Sequence, residues 1–264
     1  MRHFFLALRF LTRYPIRPLA EEPSGADHAR STGYFPLVGF AVGLELMLFR
    51  TLVLMDPVGM HQPLWDLLIL LYWIWVCDSL HLDGLADTCD ALASRGEGPE
   101  MLRILHDPRL GTFGVLSLVL AVLARWCWLR YLPQQFIWFF PLPLVASRLF
   151  LSLACQARPY AGNEASLSSQ FILGSEGRDA NRALGFALGS FFLLAAPCIY
   201  FGSATALDAG LALGVCATGI LSGWIMLRLP RRRLGGVNGD LLGYGQQITE
   251  LSTAFGLFFV LVRQ

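Results

Sequence analysis

Apolar residues fall into seven long runs along this chain, each near the ~20 residues that a bilayer core requires. The runs are Phe35 to Met55, Pro63 to Leu80, Thr112 to Leu132, Phe136 to Gln156, Leu184 to Gly202, Gly210 to Leu229 and Ile248 to Val262. Short polar segments separate them. The pattern predicts an all-α, polytopic transmembrane helical bundle of about seven spans, with residues 1–264 forming one membrane domain. Composition supports this. Hydrophobic residues make up 55% of the chain and charged residues only 15%, against about 25% in a soluble domain, and the mean hydropathy is +0.54. The stretch Met1 to Pro15 is basic and apolar but lacks a small-residue cleavage site, so it reads as a retained amphipathic entry segment.

The charges then sort by loop. All twenty basic residues are Arg, and fifteen of them lie in four segments. These are Arg2, Arg9, Arg13, Arg17 and Arg30; Arg95, Arg103 and Arg109; Arg158, Arg178 and Arg182; and Arg228 with Arg231, Arg232 and Arg233. The alternate loops, Asp56 to Gln62, Pro133 to Gln135 and Ser203 to Asp208, carry no Arg. The first six spans therefore read as three hairpins with their charged ends on one side. The positive-inside rule makes that side cytoplasmic and predicts a multi-pass membrane protein with a cytoplasmic-face active site. The seventh span would end outside, with Arg263 as an exception. A net charge of +1 implies no nucleic-acid partner. The six Cys stand singly in apolar stretches with no CxxC spacing, which excludes a disulfide framework or a zinc site. The sequence leaves the oligomeric state open, a homo-oligomer included.

Four segments carry candidate chemistry. The first is His81-Leu-Asp-Gly-Leu-Ala-Asp-Thr-Cys-Asp90. Asp83, Asp87 and Asp90 are spaced i, i+4, i+7, which stacks three carboxylates on one helix face. Like charges there repel, and a carboxylate near hydrocarbon depth costs about 2.5–3.5 kcal/mol, so the stack calls for a cation. Carboxylate oxygens suit Mg²⁺ or Mn²⁺, and Mg²⁺ typically keeps waters and bridges to substrate phosphates. A helix cap would explain one of these aspartates, but not three on one stripe. Gly84 permits close backbone approach beside the first.

In the second segment, Met101 to Gly114, Asp107 and Arg109 flank Pro108. Arg109 can fork onto a phosphate or simply snorkel at the interface. Gly111 and Gly114 let backbone crowd a ligand. The third, Gly235 to Glu250, is glycine-rich and sets Asn238, Asp240 and Gln246 at the same level, ahead of the last span. The adjacent Arg231 to Arg233 also serve as a topology signal. In the fourth, Arg148 lies inside an apolar run, so it pairs with an aspartate or binds an anionic ligand. Arg158-Pro-Tyr follows.

Taken together, these blocks resemble the cobalamin synthase family (adenosylcobinamide-GDP ribazoletransferases). The resemblance rests on His81-Leu-Asp-Gly-Leu-Ala-Asp-Thr-Cys-Asp90, on Asp107-x-Arg109-Leu-Gly-Thr-x-Gly114, and on Gly235-Gly-x-x-Gly-Asp240 with Gly243. Phe10-Leu-Thr-Arg-Tyr-Pro15 and Tyr34-Phe-Pro-Leu-Val-Gly39 are weaker echoes, and the likeness runs from about residue 4 to the C-terminus. His106, Pro108, Ala91 and Asn238 depart from the family pattern. The resemblance implies a Mg²⁺-dependent reaction that joins adenosylcobinamide-GDP to α-ribazole or its 5′-phosphate. A ribose hydroxyl attacks the corrin-side phosphorus and GMP leaves. Asp83, Asp87 and Asp90 would bind metal, and one of Asp90, Asp87 or Asp107 would take the proton. Arg109, Arg158, Asp240, Asn238 and Gln246 would bind substrate.

Two other readings compete. A CDP-alcohol phosphotransferase carries D-x-x-D-G-x-x-A-R, but Leu80 stands at −3 from Asp83 and Asp87 follows Ala86, so the match is partial. A transporter would place acids near the midplane, often within inverted repeats, whereas these acids sit at span ends and no repeat is evident.

Overall fold

The structure, a computed structural model, describes residues 1–16, 22–54, 61–163 and 166–261. Arg17, the loop residues 56–60, Met55, Val262 and Arg263 lie outside them. The described chain is helical throughout. Two short helices, α1 (Arg2–Leu11) and α2 (Gly25–Ser31), lead into α3 (Phe35–Leu54). Then come α4 (Gln62–Trp73), α5 (Ser79–Ser94), α6 (Pro99–Leu105), α7 (Thr112–Tyr131) and α8 (Leu142–Ala154). The chain closes with α9 (Leu167–Gly174), α10 (Gly177–Tyr200), α11 (Ala206–Leu234) and α12 (Gly239–Leu261).

Among the described residues, five helical stretches can cross a membrane by length and composition: Gly25–Leu54, Thr112–Tyr131, Gln134–Ala154, Gly177–Tyr200 and Ala206–Leu234. A sixth arises if α4 and α5 together form one broken span, because the chain bends there by 84°. The span expected from Pro63 to Leu80 is broken before its end: α4 passes into a π-helical turn, Ile74–Asp78, and Ser79 opens a separate arm. A π turn leaves carbonyls outside the regular ladder. The Val76 carbonyl accepts the Arg13 backbone N–H at 2.8 Å, and the Arg13 guanidinium donates to the Ser79 hydroxyl at 2.8 Å. The N-terminal segment is therefore tied to the bend.

The long helices wrap around α8. In the stretch Gln134–Ala154, 83% of the most apolar window is buried, against 28–39% in the other four stretches. Those four keep one face for lipid, whereas α8 faces protein all round. Trp73, Trp128 and Phe140 pack together near its start, and Phe150 meets Trp224 lower down. α12 is longer than the expected Ile248 to Val262 run, because the glycine-rich segment from Gly239 is already helical. Small residues let α11 and α12 approach closely. A Cβ on Gly219 or Gly223 would stand 2.1 or 2.2 Å from the hydroxyl of Thr253 or Thr249.

Charge in the interior is paired. Glu250 of α12 is 1% exposed and lies between Arg125 of α7 and Arg148 of α8. Arg125 donates to it at 2.8 Å, Ser147 at 3.0 Å and Gln246 at 3.1 Å. Arg148 forms a closer pair with the same carboxylate. The intramembrane Arg148 therefore finds a glutamate on the last helix, not one of the aspartates expected for it.

The Arg-rich segments meet at one end of the bundle. Arg158 donates to the carbonyls of Cys155 and Leu173 at 3.2 and 3.1 Å, closing the C-terminal ends of α8 and α9. Arg231 reaches the Arg158 carbonyl. Arg233 donates to the Leu92 carbonyl at 2.9 Å, and its own carbonyl accepts the Gly98 N–H at 2.7 Å. At the other end, the buried Arg50 holds the C-terminal carbonyls of α7, Leu129 and Leu132, at 2.5 and 2.8 Å.

Candidate active site

α5 starts at the bend and runs past the N-terminus of α12. Its spacing sets Asp83, Asp87 and Asp90 on one face, with Asp83 exposed and the other two half-buried. Gly84 fixes what lies opposite: a Cβ there would stand 2.6 Å from the Asp240 carbonyl oxygen. Only glycine lets the first turn of α12 press on α5, and that contact brings a fourth carboxylate to the run. Asp87 lies in the field of Asp83, Asp240 and Asp90. Asp240 in turn lies in the fields of His106 and Asp83, and the Asn238 amide donates to it at 2.9 Å. Asn238 also uses its oxygen to accept the Leu241 N–H at 3.0 Å, so it fixes the start of α12.

Asp90 is already engaged. It accepts the Gly111 N–H at 2.7 Å and the Gly114 N–H at 2.8 Å, one on each oxygen. These amides open α7, where free N–H groups and the helix dipole favour a carboxylate. A Cβ on Gly114 would stand 2.3 Å from Asp90 Oδ2. The glycines expected to crowd a ligand crowd this carboxylate instead, so Asp90 anchors α5 to α7.

Asp107 and Arg109 are placed together but closed on each other. Arg109 forks onto both oxygens of Asp107 at 2.9 and 2.8 Å, and its backbone N–H adds a third bond at 3.0 Å. These bonds hold the Asp107 carboxyl down to about 2, which makes it a poor base. Arg158 is spent on helix C-termini, as above. Gln246 is fully buried on the Glu250 network, away from the carboxylate run.

Beside α5 lie two adjoining cavities. The first, about 300 Å³, is lined by Arg13, Ser79, His81 and Asp83. The second, about 280 Å³, lies between α1, α9 and α12 and is lined by Phe10, Phe171, His81, Ser168 and Asp240. Arg13 and Ser168 were not among the expected site residues. Arg13 sits within the Phe10-Leu-Thr-Arg-Tyr-Pro15 block, whose weaker likeness to the family was the available signal. Ser168 had none.

The donors of the α5 run itself are carboxylates. Among the described residues, no group of three or more His, Cys, Asp and Glu residues is arranged to hold a metal ion. Asp83 and Asp87 are the carboxylates of the expected set left with oxygens not committed to a backbone amide. A hard divalent cation that completes its shell with water and substrate phosphate suits such a pair.

The chain matches the family model described as cobalamin-5-phosphate synthase over residues 3–258. It is 34% identical over 261 residues to the adenosylcobinamide-GDP ribazoletransferase of Pseudomonas putida strain KT2440, covering 97% of this chain and 98% of that one. The enzyme of the same name from Geotalea daltonii is 31% identical over 256 residues, covering 95% and 94%. That of Thiobacillus denitrificans is 34% identical over 252 residues, covering 95% and 92%. No solved structure matches the chain. With a full-length family match and relatives above 30% identity end to end, the chain belongs to the cobalamin-5-phosphate synthase family, transferases of cobalamin assembly.

Proposed function

We propose that this protein joins adenosylcobinamide-GDP to α-ribazole, bare or 5′-phosphorylated, at the cytoplasmic face of a bacterial inner membrane, with release of GMP. The carrying observation is the run of carboxylates on α5 that meets Asp240 of α12 across Gly84. Such a face needs a counter-charge, and a Mg²⁺-bound pyrophosphate supplies one. Asp83 and Asp87 would hold the ion, which neutralises the phosphates and makes phosphorus more electrophilic.

The rest is the work of the chain. A ribose hydroxyl oxygen forms the new bond to the corrin-side phosphorus, and the bond from that phosphorus to the GMP oxygen breaks. The hydroxyl proton goes to a carboxylate. Of the three expected acceptors, Asp90 is engaged by α7 amides and Asp107 by Arg109, which leaves Asp87, one of whose oxygens would hold the ion while the other takes the proton. Arg13, beside Asp83 in the first cavity, steadies phosphate charge in the role first given to Arg109. The test is to incubate purified protein with adenosylcobinamide-GDP, α-ribazole and Mg²⁺ and to follow cobalamin and GMP. Stoichiometric release that EDTA stops supports the reading; no joined product under these conditions refutes it.

A further inference from the structure

The second cavity differs in character from the charged face beside it. One wall is aromatic: Phe10 and Phe171 lie with ring centroids 4.2 Å apart, and Phe35 stacks on Phe10 at 5.8 Å. Leu151 and Leu242 add to the apolar lining. The polar part of the lining gathers where α5, α9 and α12 meet, with Asp240, His81 and Ser168. Ser168 is held in place by Ser166 at 3.0 Å and the Tyr160 hydroxyl at 3.2 Å. Gly239 and Gly243 bring α12 close enough to shape this part: a Cβ on the first would meet Ser168 at 3.2 Å, and on the second the His81 backbone at 3.3 Å.

Resting on the function proposed above, we infer that this cavity is the acceptor subsite, which takes a nucleoside with its flat apolar base against Phe10 and Phe171 and its sugar hydroxyls towards Asp240, His81 and Ser168. Three features carry the assignment. The volume, about 280 Å³, lies just below the ~300–1,000 Å³ usual for small-ligand sites; it suits a nucleoside and excludes a corrin macrocycle. The lining contains a carboxylate and no Arg, which disfavours a pyrophosphate but suits hydroxyl groups that donate to Asp240. An acyl chain would leave the polar part unmatched, whereas a nucleoside is apolar at one end and hydroxylated at the other. The two cavities adjoin beside α5, because Phe10, Leu80 and His81 line both. A sugar hydroxyl held there is delivered to the carboxylate run. The corrin-bearing substrate then approaches from the first cavity, where Arg13 and Asp83 lie.

Two variants on different elements test this. Leu167 is 49% exposed at the cavity wall, so Leu167→Trp adds bulk to the cavity without touching the core. Phe10→Leu removes the stacking face. Base stacking on an aromatic ring is sequence-tolerant and strong, so KM for α-ribazole should rise roughly ten- to hundredfold in each. In Leu167→Trp, whose residue lines the second cavity and not the first, KM for adenosylcobinamide-GDP should stay within about twofold. An unchanged α-ribazole KM in both variants, or a rise confined to adenosylcobinamide-GDP, overturns the assignment while leaving the reaction intact. Equilibrium dialysis of α-ribazole against the unsubstituted protein and Leu167→Trp reads the subsite even without turnover. Equal binding by the two refutes it, whereas failure of the unsubstituted protein to catalyse transfer refutes only the function proposed above.

Discussion

Glu250 is the anion between two buried guanidinium groups, and its removal should be the most damaging single neutral substitution in the bundle core. Arg125, Arg148 and Glu250 are each about 1% exposed at the side chain, so water cannot replace a lost partner. Glu250→Gln keeps the shape and the Gln246 and Ser147 neighbours but raises the net charge of the group by one. Breaking a buried pair by removing one partner costs about 3–5 kcal/mol, because the other charge is left uncompensated. Here two charges are left, although Gln247 and the Trp73 ring, 5.6 Å from the Arg125 guanidinium, retain part of the compensation for one. At roughly 2–4 °C per kcal/mol for a chain of this size, Tm in detergent should fall by about 6–20 °C. Arg148→Met should cost less, since it leaves a balanced Arg125–Glu250 pair. Thermal unfolding of the three proteins, followed by circular dichroism or by loss of the monodisperse chromatographic peak, checks both statements. A Tm change below about 2 °C for Glu250→Gln, or a larger loss for Arg148→Met, would show that the network is wet or differently charged.

The carboxylates of α5 should separate by role. Asp87→Asn should abolish transfer while leaving Tm unchanged or raised, because it relieves repulsion from Asp83, Asp90 and Asp240; near-normal turnover would sink its assignment. Asp90→Asn should lower Tm as well as activity, since charge-assisted bonds to the Gly111 and Gly114 amides contribute about 1.5–3 kcal/mol each. Gly114→Ala should resemble Asp90→Asn, as its Cβ would stand 2.3 Å from Asp90 Oδ2, and an unaffected variant would contradict the anchor. Asp107, held down to about 2 by Arg109, has a folded pKa below its unfolded one. Its pairing is therefore complete above the usual carboxylate range and is lost as pH falls towards 2. In Arg109→Gln the carboxyl should titrate near its ordinary value, as carbon-13 NMR of labelled aspartate would report, with transfer largely preserved.

Much was legible before any coordinates, for definite reasons. Apolar runs of membrane length can be satisfied only as helices, so the all-α class follows from hydropathy alone. The i, i+4, i+7 spacing of Asp83, Asp87 and Asp90 is a local property of one helix, so their shared face needed no partner helix to be seen. Gly84 announced a close approach but not by what. That the neighbour is the first turn of α12, carrying Asp240, depends on contact between residues far apart in sequence. The same limit explains the reassigned residues. Asp90, Asp107, Arg109, Arg158 and Gln246 all looked available, because a sequence shows charge and polarity but not which partner has consumed them. Two amides at the start of α7 hold Asp90, Asp107 and Arg109 hold each other, helix C-termini take Arg158, and Glu250 takes Gln246. The bend in the span expected from Pro63 was hidden likewise, since it goes with a carbonyl taken by Arg13, a residue distant in sequence. Composition and periodicity determined the solvent, the helices and the acidic stripe. Only tertiary packing decided which of those carboxylates remain free, and packing alone created the apolar cavity beside them.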